Sequence, residues 1–300
     1  MRCARVVPLW AGLTVLVAVT GCSATGSAVQ SKLAAQPPGG HANASRTHHA
    51  PPSPSPSPPP PPQVTLSSFR AADGTVITLA RFSGPVTYRL HSGSADPGGS
   101  ALSVVQAGPA VPAWEQHVLL AAFNGGFLLS TATGGYEQEG HVIVPLRPGL
   151  ASLVIDAAGH AQIGAWGDGL PAPGRAVYSV RQNLGLLVSG GSPTSSASDW
   201  PVWGATLGGG EFVARSALGQ TASGDLVFAG SMSTSPADLA AALVSAGVVA
   251  AMELDINPEW VQLDTASQPG GQLSAAIKGQ NRPADQYLVG WARDFITVLG

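Results

Sequence analysis

Residues Pro51 to Pro62 read PPSPSPSPPPPP, and this run divides the chain into a part that cannot pack and a part that can. Proline has no N–H to give, and its ring excludes it from helix interiors and central strands. From Ser23 to Pro62 the chain is rich in Ser, Ala, His and Pro, with too little apolar surface to offset the entropy of ordering. These residues are expected to form a disordered tether, its proline tract stiffened into polyproline II at about 3.1 Å per residue. His41, His48 and His49 fall in it as solvated linker residues. Whatever folds into a core lies from Gln63 to Gly300. That length suits one large domain able to bury its core without covalent staples.

Charge divides at the same place. All seventeen Asp and Glu lie beyond Gln63, with ten of the fourteen Lys and Arg, so the folded part carries −7. Phosphate-backbone binding needs a basic surface, so nucleic acid is not an expected partner. The two cysteines, Cys3 and Cys22, both precede the tether. The domain therefore has no disulfide, no zinc–thiolate centre and no catalytic thiol.

Ahead of the tether, Arg2 and Arg5 precede an apolar run from Val6 to about Thr20, followed by Val19-Thr20-Gly21-Cys22. A basic start, a short apolar stretch and a small residue before the break read as a secretion signal. The run is too short for a membrane span, which needs about 20 residues. The cysteine after Gly21 resembles the bacterial lipobox, in which cleavage exposes a cysteine for lipidation. Residues 1–22 are thus expected to be a lipoprotein signal with Cys22 as the lipid attachment site. The membrane would be a partner through the anchor, and the protein would be exported to the outer face of the cytoplasmic membrane.

Beyond the tether, short apolar or alternating runs are broken by Gly-rich turns. Val76–Phe82 and Val86–Leu90 flank Ser83-Gly84-Pro85 as a hairpin-like pair. Further strand candidates are 102–105, 118–122, 142–144, 153–155, 162–163, 178–180, 184–188, 226–229, 250–254 and 295–299. One helix is well marked: Ser235 can cap it, Pro236 suits the first position, and Asp238 sits near its positive end. Leu239, Leu243 and Ala246 share a face, and Gly247 supplies the stop. Strand 226–229, this helix and strand 250–255 form a βαβ-like unit, a connection that favours parallel pairing. The expected class is α+β, a strand-rich mixed sheet with this unit near the C-terminus.

Three segments, in order, resemble the phosphodiester glycosidase family, whose best-known activity uncovers mannose 6-phosphate tags. They are AAFNGGF (Ala121–Phe127), ARSALGQTASGDLVFAG (Ala214–Gly230), and the capped helix with its following strand through AMELD to Asp255. With QNLGLLVSGG between them, the resemblance covers roughly Ala121 to Asn257. One departure stands out. Where the family reads Leu-Asp-Gly-Gly-Gly-Ser-Ser, this chain keeps Leu254-Asp255 and continues Ile256-Asn257-Pro258-Glu259-Trp260. The glycine turn that lets backbone amides approach a phosphate is replaced by a stiffer loop, as in a divergent branch.

The resemblance implies a hydrolase cleaving a sugar-1-phosphodiester linkage in an envelope glycopolymer or glycoconjugate, its ligand a carbohydrate phosphodiester. The alternative is a non-catalytic envelope sugar- or polymer-binding lipoprotein on the same fold. Asp255, at the carboxyl end of the βαβ unit, is the central candidate carboxylate. Glu253, two residues earlier on the same strand face, lies about 7 Å away at Cα, within the range for paired glycosidase carboxylates. Arg215 is a candidate clamp for an anion. Asn124, Gly125 and Gly126 make a turn able to approach a sugar or phosphate, and Asn183, Asn257 and Gln182 are further polar candidates.

Asp255, Asn257 and Glu259 alternate oxygen ligands, as calcium loops do, so a divalent cation such as calcium is a possible cofactor. It would serve a phosphodiesterase cutting the other side of the phosphate. Glu137, Glu139 and His141 would share one face if extended. Trp114, Trp166, Trp200, Trp203 and Trp260 could stack on sugars or pack in the core.

Overall fold

The computed structural model describes residues 61–204 and 209–300; the expectations for the signal, Cys22 and nearly all of the tether fall on residues 1–60, outside the described residues. Within them the apolar runs build three antiparallel sheets. The seven-stranded sheet runs in the order Gln63–Arg70, Val76–Ser83, Leu226–Thr234, Val213–Thr221, Val248–Glu253, Leu186–Ser189, Ser192–Pro193. A five-stranded sheet holds Ser274–Ala275, Leu263–Thr265, Leu119–Asn124, Phe295–Leu299 and Thr87–His91. A second holds His141–Val144, Tyr136–Gln138, Ser179–Gln182, Ala151–Ile155 and Ala161–Ala165.

The three sheets share one core because alternate residues of each point inward. Phe82, Phe123, Phe228, Tyr136, Leu153, Leu218, Met252 and Ile296 are buried together. Phe123 stacks on Phe82 at 5.7 Å and tilts against Phe228 at 5.3 Å, tying two sheets at the centre. The opposite face of the large sheet is covered by the helix Pro236–Ser245. Leu239 and Leu243 there meet Leu79, Ala217, Val227 and Trp203. Ser235 caps the helix, its hydroxyl accepting from the Asp238 amide at 3.0 Å, and Gly247 turns the chain out at φ 81°.

Three local expectations change. Val76–Ser83 and Thr87–His91 do not form a hairpin. Phe82 pairs with Val64 and Leu226 in one sheet, and Arg89 pairs with Thr297 in another. Gly84, at φ 79°, makes the crossing tight: a Cβ there would lie 2.6 Å from the Pro61 carbonyl oxygen. The βαβ-like unit is present, but its two strands are not neighbours. Val213–Thr221 lies between them, antiparallel to both, because the Ala222–Gly224 turn folds it onto Leu226–Thr234 first. Residues 102–105 are not a strand; Leu102 ends the short helix Gly99–Leu102, the next three residues leave it, and Val104 is exposed.

Candidate active site

Every strand of the large sheet delivers its end residues to an edge, and one edge opens on a cleft. The Val248–Glu253 strand extends its ladder two residues further: the Leu254 amide donates to Ser216 O at 2.8 Å, and Ser216 N to Asp255 O at 2.9 Å. Asp255 is therefore held at a fixed place just beyond the last regular pair. Its Oδ1 accepts from the amides of Ile256 and Asn257 at 2.8 and 3.0 Å, turning the chain sharply. Its Oδ2 faces Arg293 Nη2 at 3.3 Å.

The cleft has a volume of about 650 Å³. Phe127, Leu128, Ile256, Pro258 and Trp260 supply most of its wall, with Gly204, Thr131, Thr133 and Asn257 beside them and Asp255 and Arg293 as its charged groups. Burial pushes the Asp255 carboxyl up to about 6, against the pull of Arg293 and the two amides. The carboxylate therefore changes charge near neutrality, where a catalytic acid or base is useful.

Arg293 lies two residues before the Phe295–Leu299 strand. Its guanidinium lies 5.1 Å above the Trp260 ring, and Nη2 donates to Gly126 O at 2.8 Å. Asp96 Oδ2 lies 3.5 Å from Nε. Trp260 in turn packs edge-on against Trp291, and Arg282, paired with Glu259 at 2.6 Å, lies over both rings. The loop from Ile256 to Trp260 is thus braced by two cation–π contacts and two Asx-type turns, the second from Glu259 N to Asn257 Oδ1 at 2.9 Å.

The other sequence candidates separate by where the fold puts them. Glu253 is fully buried, with Oε1 at 2.7 Å from Arg215 Nη1. Burial pushes its carboxyl up to about 8 in spite of Arg215, and Asp255 adds to the rise. Arg215 lies beneath the helix face of the sheet rather than in the cleft. Its remaining donors go to the carbonyls of Thr234, Trp203 and Glu211. Asn183 donates to the carbonyls of both Glu253 and Leu254, at 2.8 and 2.9 Å, and so anchors the strand end.

Asn124 donates to Ser216 Oγ at 2.9 Å and accepts from the Gln262 amide at 3.2 Å. A Cβ on Gly125 would fall 2.0 Å from Asp294 Oδ2, and one on Gly126 2.9 Å from the Arg181 guanidinium carbon. The two glycines make room for a buried Arg181–Asp294 pair at 2.7 Å. Their turn reaches the cleft at second hand, through the Gly126 carbonyl that holds Arg293. Gln182 is consumed by Gly135, Arg147 and Ser152.

Glu137, Glu139 and His141 do not share a face, because Glu139 sits in the turn at φ 54°. Its carboxylate binds the amides of Gln106 and Ala107 and the side chain of Arg89. Trp203 is core, its Nε1 donating to Ser196 O at 2.8 Å, while Trp260 alone of the five tryptophans lines the cleft.

The oxygens of Asp255, Asn257 and Glu259 do not converge as a cation site would require. Asp255 Oδ1 and Asn257 Oδ1 accept backbone N–H groups, and Glu259 is held by Arg282 and Asn281. Among the described residues no three His, Cys, Asp or Glu side chains are grouped to hold a metal ion. The donor set does not fit calcium.

Arg293, Asp96, Arg181 and Asp294 were not picked out in the sequence. A usable sign was there: Arg293-Asp294 is a charged doublet between Trp291 and an apolar strand, and charges so placed are buried only when paired.

No protein-family model matches the chain, and no curated protein matches it in sequence. Solved structures are similar to it in fold. The zebrafish N-acetylglucosamine-1-phosphodiester alpha-N-acetylglucosaminidase catalytic domain aligns over 79% of this chain and 82% of its own, at 12% identity and a TM-score of 0.48. A hypothetical protein from Synechocystis aligns over 80% of this chain and 64% of its own, at 14% identity and a TM-score of 0.45. Both are distant likenesses.

Proposed function

We propose that this chain is an exported hydrolase that cleaves the sugar–oxygen bond of a sugar-1-phosphodiester in an envelope glycopolymer or glycoconjugate. The observation that carries the reading is Asp255 facing Arg293 at 3.3 Å in the wall of the cleft. Breaking a glycosidic bond builds positive charge at the anomeric carbon, which a nearby carboxylate stabilises. The departing phosphate oxygen gathers negative charge, which a guanidinium stabilises. Glycosidases ordinarily need a second carboxyl to protonate the leaving oxygen. From a phosphodiester the departing group is a phosphate monoester, already a stable anion, so one carboxylate suffices, and Asp255 is the one acid among the described residues lining the cleft. Water supplies the new oxygen at the sugar carbon, and the phosphate leaves as a monoester with the old one. Arg293, rather than Arg215, is the anion contact in this reading.

A receptor without turnover is the second reading. It is favoured by Asp255 Oδ1 being occupied by two backbone amides, as in a purely structural loop anchor. The two separate on one experiment. The purified full-length chain is incubated with a panel of sugar-1-phosphodiesters, including UDP-N-acetylglucosamine, and products are identified by mass. Free sugar that disappears with Asp255→Asn supports the hydrolase. Ligand-induced stabilisation with no product from any member sinks it for those substrates and favours the receptor.

A further inference from the structure

The cleft is larger and greasier than a phosphorylated sugar requires. Sites of roughly 300–1,000 Å³ hold drug-sized ligands, and a hexose phosphate occupies only part of about 650 Å³. Its polar side chains are those of Asp255, Arg293, Asn257, Thr131 and Thr133. The rest of the lining is apolar: Phe127, Leu128, Ile256, Pro258 and Trp260, with Gly204. Gly204, at φ 97°, marks where two walls meet: a Cβ there would lie 2.7 Å from Ile256 Cδ1 and 2.8 Å from Phe127 Cζ. Beside that seam Leu128 keeps 41% of its surface exposed although its neighbour Phe127 is buried. A single exposed leucine is ordinary. One that continues an aromatic and aliphatic wall inside a concave site holding a guanidinium is a place for an apolar group attached to an anion.

We infer that the phosphate group recognised in this cleft carries a hydrocarbon aglycone, an alkyl or prenyl chain that lies along Phe127, Leu128 and Ile256 while the phosphate meets Arg293. This rests on the assignment of the cleft as the phosphodiester site, and it names the substrate class: a sugar joined through phosphate to a lipid. Hydrophobic contact supplies affinity in proportion to the area covered, whereas the guanidinium sets which end enters.

The test is a binding measurement that needs no turnover. Inorganic phosphate, butyl phosphate, octyl phosphate and the neutral octyl glucoside are titrated into the full-length chain below their micellar concentrations. The expected result is a Kd that tightens about fourfold per methylene, on the order of two-hundredfold from butyl to octyl phosphate. Leu128→Ser should flatten that dependence. The variant shares every residue outside the cleft, so the difference between the two titrations reports the cleft alone. Equal affinity for inorganic and octyl phosphate overturns the inference, and so does failure of every probe to bind. Octyl glucoside binding as tightly as octyl phosphate overturns it too, because the anion then contributes nothing. Chain-length-independent binding together with sugar release from diesters leaves the hydrolase standing and removes only the lipid. Chain-length-dependent binding without any sugar release does the reverse.

Discussion

Glu253 and Asp255 stand two residues apart on one strand, and each faces an arginine. Arg215 and Glu253 are both fully buried at 2.7 Å, and the guanidinium gives its other N–H groups to three backbone carbonyls. Arg293 and Asp255 are looser at 3.3 Å and line the cleft, with the guanidinium alone resting on the face of Trp260. In sequence the two acids share a parity and look interchangeable. They differ because the regular strand ends at Glu253, which keeps the earlier acid under the helix side of the sheet, while the Asp255 turn carries the later one to the edge. An ion pair ringed by carbonyls ties elements together. One with a guanidinium lodged on an aromatic ring at a concave surface keeps a side for a ligand.

The largest expected effect falls on the closed pair. Arg215→Ala leaves Glu253 buried without its cation and should cost about 3–5 kcal/mol in chemical denaturation above pH 8, where the paired carboxyl of the folded protein is ionised. Replacing both partners with apolar residues of similar volume, Arg215→Met with Glu253→Leu, should recover most of that loss. The open pair should answer differently. Arg293→Ala is expected to weaken binding of a phosphate-bearing ligand by about 1.5–3 kcal/mol, roughly 10- to 100-fold by titration, with a smaller change in stability. Arg293→Lys should restore little, because an ammonium cannot lie flat on Trp260 while reaching both Gly126 and Asp255. If Arg215→Ala, still folded, lost as much affinity as Arg293→Ala, the distinction between the pairs would collapse.

That distinction marks where sequence reasoning stops. The capped helix was legible because its signs are local: Ser235, Pro236, Asp238 and Gly247 lie within one stretch of chain. Most strands were legible for the same reason. The false hairpin across Gly84 and the strand inserted between Leu226–Thr234 and Val248–Glu253 were not, because partner choice is a long-range matter that alternation does not encode. Asp255 could be read as a strand-end acid. Its partner could not, because Arg293 arrives from a segment 38 residues away that carries none of the quoted motifs. The Asn-Gly-Gly turn was visible as a close approach. What approaches it, the Arg181–Asp294 pair, was a tertiary fact.

Acidity gives a way to sharpen the comparison through pH. Burial raises Glu253 to about 8 and Asp255 to about 6, and it raises Asp264, which has two glutamine amides and, among the described residues, no cation beside it, to about 7. In the unfolded chain these groups titrate near 4.5, 3.8 and 3.8. Between those values and pH 8 the folded state binds more protons than the unfolded one, so stability is greatest at the acidic end and falls as pH rises. The melting temperature should therefore be higher at pH 5 than at pH 8, with Glu253→Gln flattening the upper part of the slope. Turnover should show the other pair: an acid limb near pH 6 as Asp255 gains its proton. A melting temperature that climbs steadily from pH 5 to 8 would contradict the burial argument for all three acids.

The smallest effect probes the closed pair from its far side. Arg215 Nε donates to Thr234 O at 3.2 Å, and the next residue, Ser235, caps the helix through the Asp238 amide. Ser235→Ala removes that cap and should cost about 1 kcal/mol, read as a lower denaturation midpoint with an unchanged slope. The carbonyl that Arg215 holds belongs to the helix entry, so loosening it should weaken the Arg215–Glu253 side of the molecule alone. Ligand affinity, set by Arg293 in the cleft, should not move. Coupling would appear as non-additivity: Ser235→Ala combined with Arg215→Ala should cost less than the two losses added, because both release the same helix entry. Full additivity there, or an affinity loss with Ser235→Ala alone, would mean that the cap and the closed pair are not the single structural unit that the shared Thr234 carbonyl describes.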